Sequence, residues 1–111
     1  MKKLLFIYNA KSGKAKIRKY LVGIIDIFIK SGYSVEAYQT QTQKDAMVQV
    51  EKRGRDFDMI VCSGGDGTLN EVITGLRNSD WYIEKRVPIG YIPAGSTNDF
   101  AVSIGLPKNM L

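Results

Sequence analysis

The feature that most limits the fold is a regular alternation of short apolar runs with longer amphipathic segments. The apolar runs have strand length: residues 4–8, a second strand marked by Val35 and Ala37, residues 59–62 and residues 89–92. Between them, apolar residues recur at spacings of three and four, which is typical of helices packed by one face. Continuous apolar strands that alternate with helices predict an α/β fold, with a parallel sheet covered by helices on both faces in three layers.

The helical segments have recognisable ends. A first amphipathic stripe over residues 17–28 is closed by Gly32, and Thr42 with Asp45 resembles a capping box for a second helix that stops at Gly54. A third stripe covers residues 69–76, and Thr97 or Asn98 is predicted to cap a short fourth helix.

Three of the four predicted strands are followed by glycine-bearing turns, at residues 9–14, 63–68 and 93–99. The turn after the second strand, residues 40–43, has no glycine. A strand order of 2-1-3-4 would bring the three glycine turns together at the carboxyl edge of the sheet and leave the glycine-free turn at its margin. Each turn leads into a helix amino terminus, where free N–H groups attract phosphate. The set predicts a phosphate site, although a single such turn is also explained by steric need alone.

Asp66 stands among these glycines, and the chain has no histidine, so a general base must be a carboxylate, a lysine or a group from another chain. Beside phosphates, an aspartate would hold a metal ion or accept a proton from an attacking hydroxyl. The alternative is that Asp66 is the N-cap of the third helix. Glu71 is open to a similar alternative, as a first-turn residue that offsets the helix dipole.

The 111 residues are enough for one domain, and the formal charge of +5 favours an anionic partner.

Cys62 is the only cysteine, which excludes an internal disulfide. Its position at the end of an apolar run is typical of an inert core thiol. No run has the length of a secretory core or a membrane span, so we expect a cytoplasmic location.

Three segments together resemble the catalytic domain of diacylglycerol kinases and their relatives, the sphingosine and ceramide kinases. They are GGDGT followed by NE, PAGSTNDFA, and the early N-x-x-S-G, and the resemblance spans residues 9–107. GGDGT alone is shared with NAD kinases and, more loosely, with phosphofructokinases, so the implied fold is related to theirs. PAGSTNDFA indicates the lipid kinases, with Ser96 where that family more often has threonine.

The resemblance implies transfer of the ATP γ-phosphate to a lipid hydroxyl with Mg²⁺, forming phosphatidic acid if the lipid is diacylglycerol. Asp66 would be the chief catalytic carboxylate, as base or through the metal, and Asp99 would support the metal or its waters. The residues implied to bind ATP are Asn9, Ser12, Gly13, Lys14, Gly64, Gly65, Gly67, Thr68, Glu71, Gly95, Ser96, Thr97 and Asn98. The basic residues around Lys14 would lie near the triphosphate or face an anionic membrane, or would simply be solvated.

Members of this family continue beyond the PAGSTNDFA helix into a second, mostly β domain that carries lipid contacts. Residues 1–111 are therefore expected to form the first, ATP-binding domain, as an isolated domain, a truncated product or one part of a split enzyme. The expected partners are nucleotide, a lipid at the inner membrane surface and that second domain, with no nucleic acid. The alternatives are a non-catalytic nucleotide- or phosphate-binding module and an NAD kinase-like enzyme.

Overall fold

The strands and helices alternate along the chain in the computed structural model, which describes residues 2–9 and 16–93. The strands are β1 (Lys2–Tyr8), β2 (Tyr33–Gln39), β3 (Met59–Gly64) and β4 (Ile89–Pro93). The α-helices of that part of the chain are α1 (Lys16–Lys30), α2 (Asp45–Arg53) and α3 (Asp66–Asn78). Short 3₁₀ helices at Gly54–Asp56 and Asp80–Ile83 follow α2 and α3.

The described strands form one parallel sheet in the order β2-β1-β3-β4, as predicted from the turns. β1 lies inside the sheet between β2 and β3, and its residues from Leu4 to Ile7 have no solvent exposure on either face. This double burial explains why the strand reads as a continuous apolar run rather than an alternating one. β2 lies at an edge of the described sheet, and its residues are half-buried or exposed.

Helices cover both faces of the sheet and divide the core into two clusters. Leu4 and Phe6 of β1 pack with Ile24 and Phe28 of α1 on one face. Leu5 of β1 packs on the other face in a cluster with α2 and α3, which contribute Ala46, Val50, Val72 and Leu76. The three-layer α/β prediction is confirmed.

The predicted capping box at the start of α2 is wrong. Lys44, not Thr42, is the N-cap residue, with a left-handed backbone (φ 69°) and no hydrogen bond from a side chain to the helix. The Asp45 carboxylate turns back to accept from the Gln41 N–H at 2.7 Å, so it stabilises the preceding turn and not the helix end. The predicted fourth helix, after Thr97, lies outside the described residues.

Cys62 lies in β3 with no solvent exposure, and its S–H donates to the Gly90 carbonyl oxygen at 3.7 Å. Burial raises the pKa of the Cys62 thiol to about 12, which keeps the reactive thiolate scarce at neutral pH. No helix in the described part of the chain is both long and apolar enough to span a bilayer.

Two isoleucines of α1 provide a matched test of this packing. Ile24 is 2% exposed in the core, whereas Ile29 is 54% exposed. We expect Ile24→Ala to lower the free energy of unfolding by roughly 2–5 kcal/mol because it leaves a cavity, and Ile29→Ala to lower it by less than about 1 kcal/mol. Urea unfolding followed by circular dichroism measures both, and equal losses would contradict the assigned face of α1.

Candidate functional site

The carboxyl ends of β1, β2 and β3 lie side by side at one edge of the sheet. The Asn9 N–H, just after β1, donates to the Ser63 carbonyl oxygen of β3 at 3.0 Å. The Thr40 N–H, just after β2, donates to the Tyr8 carbonyl oxygen of β1 at 2.9 Å. These two hydrogen bonds continue the pairing of the sheet by one residue after β1 and β2, and they fix the backbone where each of these two turns begins.

The turn between β3 and α3 is shaped by Gly64. Its φ of +155° is a backbone conformation that side chains rarely allow, and a Cβ there would lie 2.5 Å from Thr68 Oγ1 and 3.3 Å from Asn9 Cβ. The Tyr91 hydroxyl donates to the Gly64 carbonyl oxygen at 3.1 Å and holds the turn from β4. Glycine at this position therefore lets the chain reverse tightly and brings the start of α3 against the end of β1.

A cleft of about 340 Å³ opens beside this turn. It is bounded by the end of β1, the turn between β3 and α3, and the turn after β2. The lining residues are Asn9, Thr40, Gln41, Thr42, Gln43, Gly65, Gly67, Thr68 and Glu71. The volume lies within the range of small-molecule sites, and the described lining is polar and includes the charged side chain of Glu71.

The structure gathers the described members of the predicted nucleotide site around this cleft. Asn9, Gly65, Gly67, Thr68 and Glu71 line it, and Gly64 forms the turn behind it. The other predicted residues, Ser12, Gly13, Lys14, Gly95, Ser96, Thr97, Asn98 and Asp99, lie outside the described residues.

Asp66 is the first residue of α3, and Gly65 occupies the N-cap position with an extended backbone (φ −80°, ψ −177°). The alternative in which Asp66 caps this helix is therefore wrong by one position. At the first helical position a carboxylate still benefits from the positive end of the helix dipole. Among the side chains that the structure describes, no three from acidic, cysteine or histidine residues form a metal-binding group.

Glu71 lies five positions after Asp66, in the second turn of α3, so it is not the first-turn residue that the dipole alternative requires. One of its carboxylate oxygens, Oε2, accepts the backbone N–H of Lys44 at 3.1 Å. Glu71 thus connects α3 to the start of α2 beside the cleft.

The turn after β2, residues 40–44, is a wall of the cleft that the sequence did not indicate. The absence of glycine predicted that this turn would lie at the margin of the three glycine turns, as the position of β2 at the sheet edge confirms, but it did not predict that Thr40, Gln41, Thr42 and Gln43 line the cleft. Two features of the sequence could have indicated it. The segment TQTQ is polar, and it follows β2, which pairs directly with β1, so this turn lies next to the turn after β1.

Asp45 stabilises the same turn from its other side. Its carboxylate accepts the Gln41 N–H, the Tyr38 hydroxyl at 2.8 Å and the Gln49 side-chain amide at 3.3 Å. Partial burial acts to raise the pKa of Asp45, but the three hydrogen bonds, led by the one from Gln41, outweigh it and hold the pKa below its usual value. The carboxylate is therefore charged at neutral pH, as its acceptor role requires.

Comparison with known proteins gives one consistent family. A family model described as the diacylglycerol kinase catalytic domain matches residues 3–111. A diacylglycerol kinase of Bacillus subtilis (strain 168) is 38% identical over 109 residues, which cover 97% of this chain and 35% of the relative. A diacylglycerol kinase of Staphylococcus haemolyticus (strain JCSC1435) is 37% identical over 106 residues, covering 95% and 31%.

A solved structure supports the same relationship. The crystal structure of a diacylglycerol kinase from Bacillus anthracis str. Sterne superposes with a TM-score of 0.73 and 29% identity, over 98% of this chain and 39% of that one. The chain thus spans about a third of the length of the curated relatives it matches.

Gly64 and Gly67 allow the turn to be tested with one substitution at two nearby sites. Gly64→Ala should lower the free energy of unfolding by roughly 1–3 kcal/mol, because the new methyl group meets Thr68 and φ is unfavourable. A Cβ at Gly67 meets nothing within 4 Å, so Gly67→Ala should be neutral or stabilise α3 by about 0.5 kcal/mol. Thermal and urea unfolding compare the two variants, and equal stability would contradict the tight turn.

Proposed function

The chain belongs to the diacylglycerol kinase catalytic domain family, and from this premise we propose that it is the ATP-binding domain of a lipid kinase. The observation that carries the proposal is the cleft at the carboxyl edge of the sheet, where the Gly64 turn leads into α3 beside Asn9. A parallel sheet binds ligands at this edge, and a helix amino terminus offers free N–H groups to phosphate.

The described residues fit a nucleotide. The extended backbone of Gly65 and the open space around Gly67 favour the approach of an anion to the N–H groups of the first turn of α3. The Thr68 side chain, held against Gly64, adds a hydroxyl to the cleft. We propose that the glycine turn contacts the phosphates and that Asn9 and Thr68 add hydrogen bonds.

Further contacts are proposed on the resemblance alone. Ser12, Gly13 and Lys14 would complete the nucleotide site after β1, and Gly95, Ser96, Thr97 and Asn98 would complete it after β4. The implied magnesium would be held by Asp66 and Asp99, directly or through water, and would neutralise charge that develops on the transferred phosphate. We propose two alternative roles for Asp66. Its carboxylate would orient the metal, or it would accept the proton of the attacking lipid hydroxyl.

The acceptor and the remainder of the enzyme are also proposals. The relatives are about three times as long as this chain, so residues 1–111 would form the nucleotide-binding wall and a carboxyl-terminal domain would supply the lipid-binding wall. Because these relatives are named diacylglycerol kinases, we propose diacylglycerol as the lipid and phosphatidic acid as the product. A membrane surface as the place of reaction is proposed on the resemblance alone. The matching family model supports this reading over an NAD kinase-like enzyme.

Nucleotide binding is tested by Gly65→Val. The backbone of Gly65 is extended, so a branched residue fits its conformation and should leave the fold intact, while its side chain blocks the start of α3. We expect the unaltered chain to bind Mg-ATP in calorimetric titration and the variant to lose at least about tenfold in affinity. Gly23→Val is the control, because a Cβ at Gly23 in α1 meets nothing within 4 Å and lies outside the cleft. Equal affinity in all three proteins would contradict the phosphate site.

The role of Asp66 is tested by Asp66→Asn in a protein extended to the full length of the family. The amide neither accepts a proton nor holds magnesium well, so turnover should fall by about a hundredfold or more while the fold persists. The measurement is transfer of label from γ-labelled ATP to diacylglycerol in mixed micelles. Asp58→Asn is the matched control, because Asp58 lies just before the amino end of β3, whereas Asp66 follows its carboxyl end. Near-normal turnover in Asp66→Asn would remove Asp66 from the chemistry.

A further inference from the structure

We propose that Glu71 is a positioning residue that holds residues 40–44, called here the β2–α2 loop, as a wall of the nucleotide site. The inference rests on the proposed function and extends it to a part of the cleft that carries no glycine motif. It assigns Glu71 a partner in the protein, the Lys44 N–H, in place of the direct ATP contact that the resemblance implied.

The β2–α2 loop matters because of how much of the cleft it forms. Of the nine lining residues in the described part of the chain, Thr40, Gln41, Thr42 and Gln43 come from it. Their hydroxyl and amide groups both donate and accept hydrogen bonds, so they can orient a polar ligand only if the loop backbone keeps one conformation.

Three contacts fix that conformation from different directions. At its start, the Thr40 N–H donates to the Tyr8 carbonyl oxygen at 2.9 Å. In its middle, the Gln41 N–H donates to Asp45 at 2.7 Å. At its end, the Lys44 N–H donates to Glu71 Oε2 at 3.1 Å, and this is the contact that joins the loop to α3.

The last contact is needed because Lys44 has an unfavourable backbone. Its φ of 69° lies in the left-handed region, which a lysine adopts only when surrounding interactions hold it there. The carboxylate of Glu71 supplies such an interaction, and a hydrogen bond to a charged acceptor is stronger than one to a neutral acceptor. Without it, the loop end is free to move towards more common backbone conformations.

Glu71 does not hold the two helices together. A Cβ at Gly75 of α3 would lie 2.9 Å from the Met47 carbonyl oxygen and 3.1 Å from Val50 Cβ, so α2 and α3 are packed in direct contact one turn further on. Val72 and Leu76 anchor α3 in the core with almost no exposure. Substitution of Glu71 should therefore release the loop without separating the helices.

A pair of substitutions distinguishes positioning from action through charge. Glu71→Gln keeps an oxygen acceptor for the Lys44 N–H and removes the charge, whereas Glu71→Met keeps a similar side-chain length and removes the acceptor. If Glu71 positions the loop, Mg-ATP affinity should change by less than about twofold in Glu71→Gln and fall by about five- to tenfold in Glu71→Met. If its charge acts on phosphate or metal, both variants should change affinity equally.

Amide hydrogen exchange at Lys44, measured by NMR without nucleotide, reports the loop directly. We expect protection in the unaltered chain and in Glu71→Gln, and faster exchange in Glu71→Met, while the amide of Val50 in the core of α2 stays protected in all three. Glu71→Ala is the second acceptor-free variant and should match Glu71→Met in both measurements.

The outcomes separate the two proposals. Mg-ATP binding by the unaltered chain, normal affinity in Glu71→Gln and weaker affinity with faster Lys44 exchange in the acceptor-free variants would support the inference. Binding by the unaltered chain with equal affinity in every variant, or with equal losses in Glu71→Gln and Glu71→Met, would overturn it and leave nucleotide binding intact. Failure of the unaltered chain to bind Mg-ATP would overturn both.

Discussion

Thr68 approaches the backbone of Gly64 so closely that a methyl group on Gly64 would lie 2.5 Å from the Thr68 hydroxyl oxygen. This contact sets the direction in which α3 leaves the sheet and places its first turn beside Asn9 at the end of β1. Tyr91 holds the same turn from β4 through the Gly64 carbonyl oxygen. The cleft therefore depends on the absence of one side chain, since any other residue at Gly64 would clash with Thr68 and strain the turn from which α3 begins.

The fold itself could be predicted from the sequence because burial leaves a local pattern. Leu4 to Ile7 are buried on both faces of the sheet and appear as an unbroken apolar run, and Ile24 with Phe28 shows the spacing of a helix packed by one face. The strand order was predicted from the turns. The three glycine-bearing turns can form one phosphate site only if the strands that precede them are neighbours in the sheet. That argument gave the observed order of the described sheet.

The details of the site were less predictable because they depend on contacts between distant residues. Asp45 has the spacing of a capping residue, but its carboxylate is satisfied by Gln41 and by Tyr38 of the neighbouring strand. Glu71 accepts the N–H of a residue 27 positions away, and no local pattern predicts such a pairing. The alternative that made Asp66 the N-cap was wrong by one position, because Gly65 takes the N-cap without offering a side chain.

The β2–α2 loop shows why glycine content alone is an incomplete guide to a phosphate-binding edge. Glycine is needed where a ligand or a neighbouring segment meets the backbone, as at Gly64, but the opposite wall of a cleft contacts its ligand through side chains. Thr40 to Gln43 can form such a wall because the Thr40 N–H continues the pairing between β2 and β1. One side of the cleft thus contains the tight glycine turn, and the other offers the hydrogen-bonding side chains of residues 40–43. Side chains on a loop keep their positions only if the loop backbone is held in place, and Asp45 and Glu71 accept hydrogen bonds from the backbone of this loop.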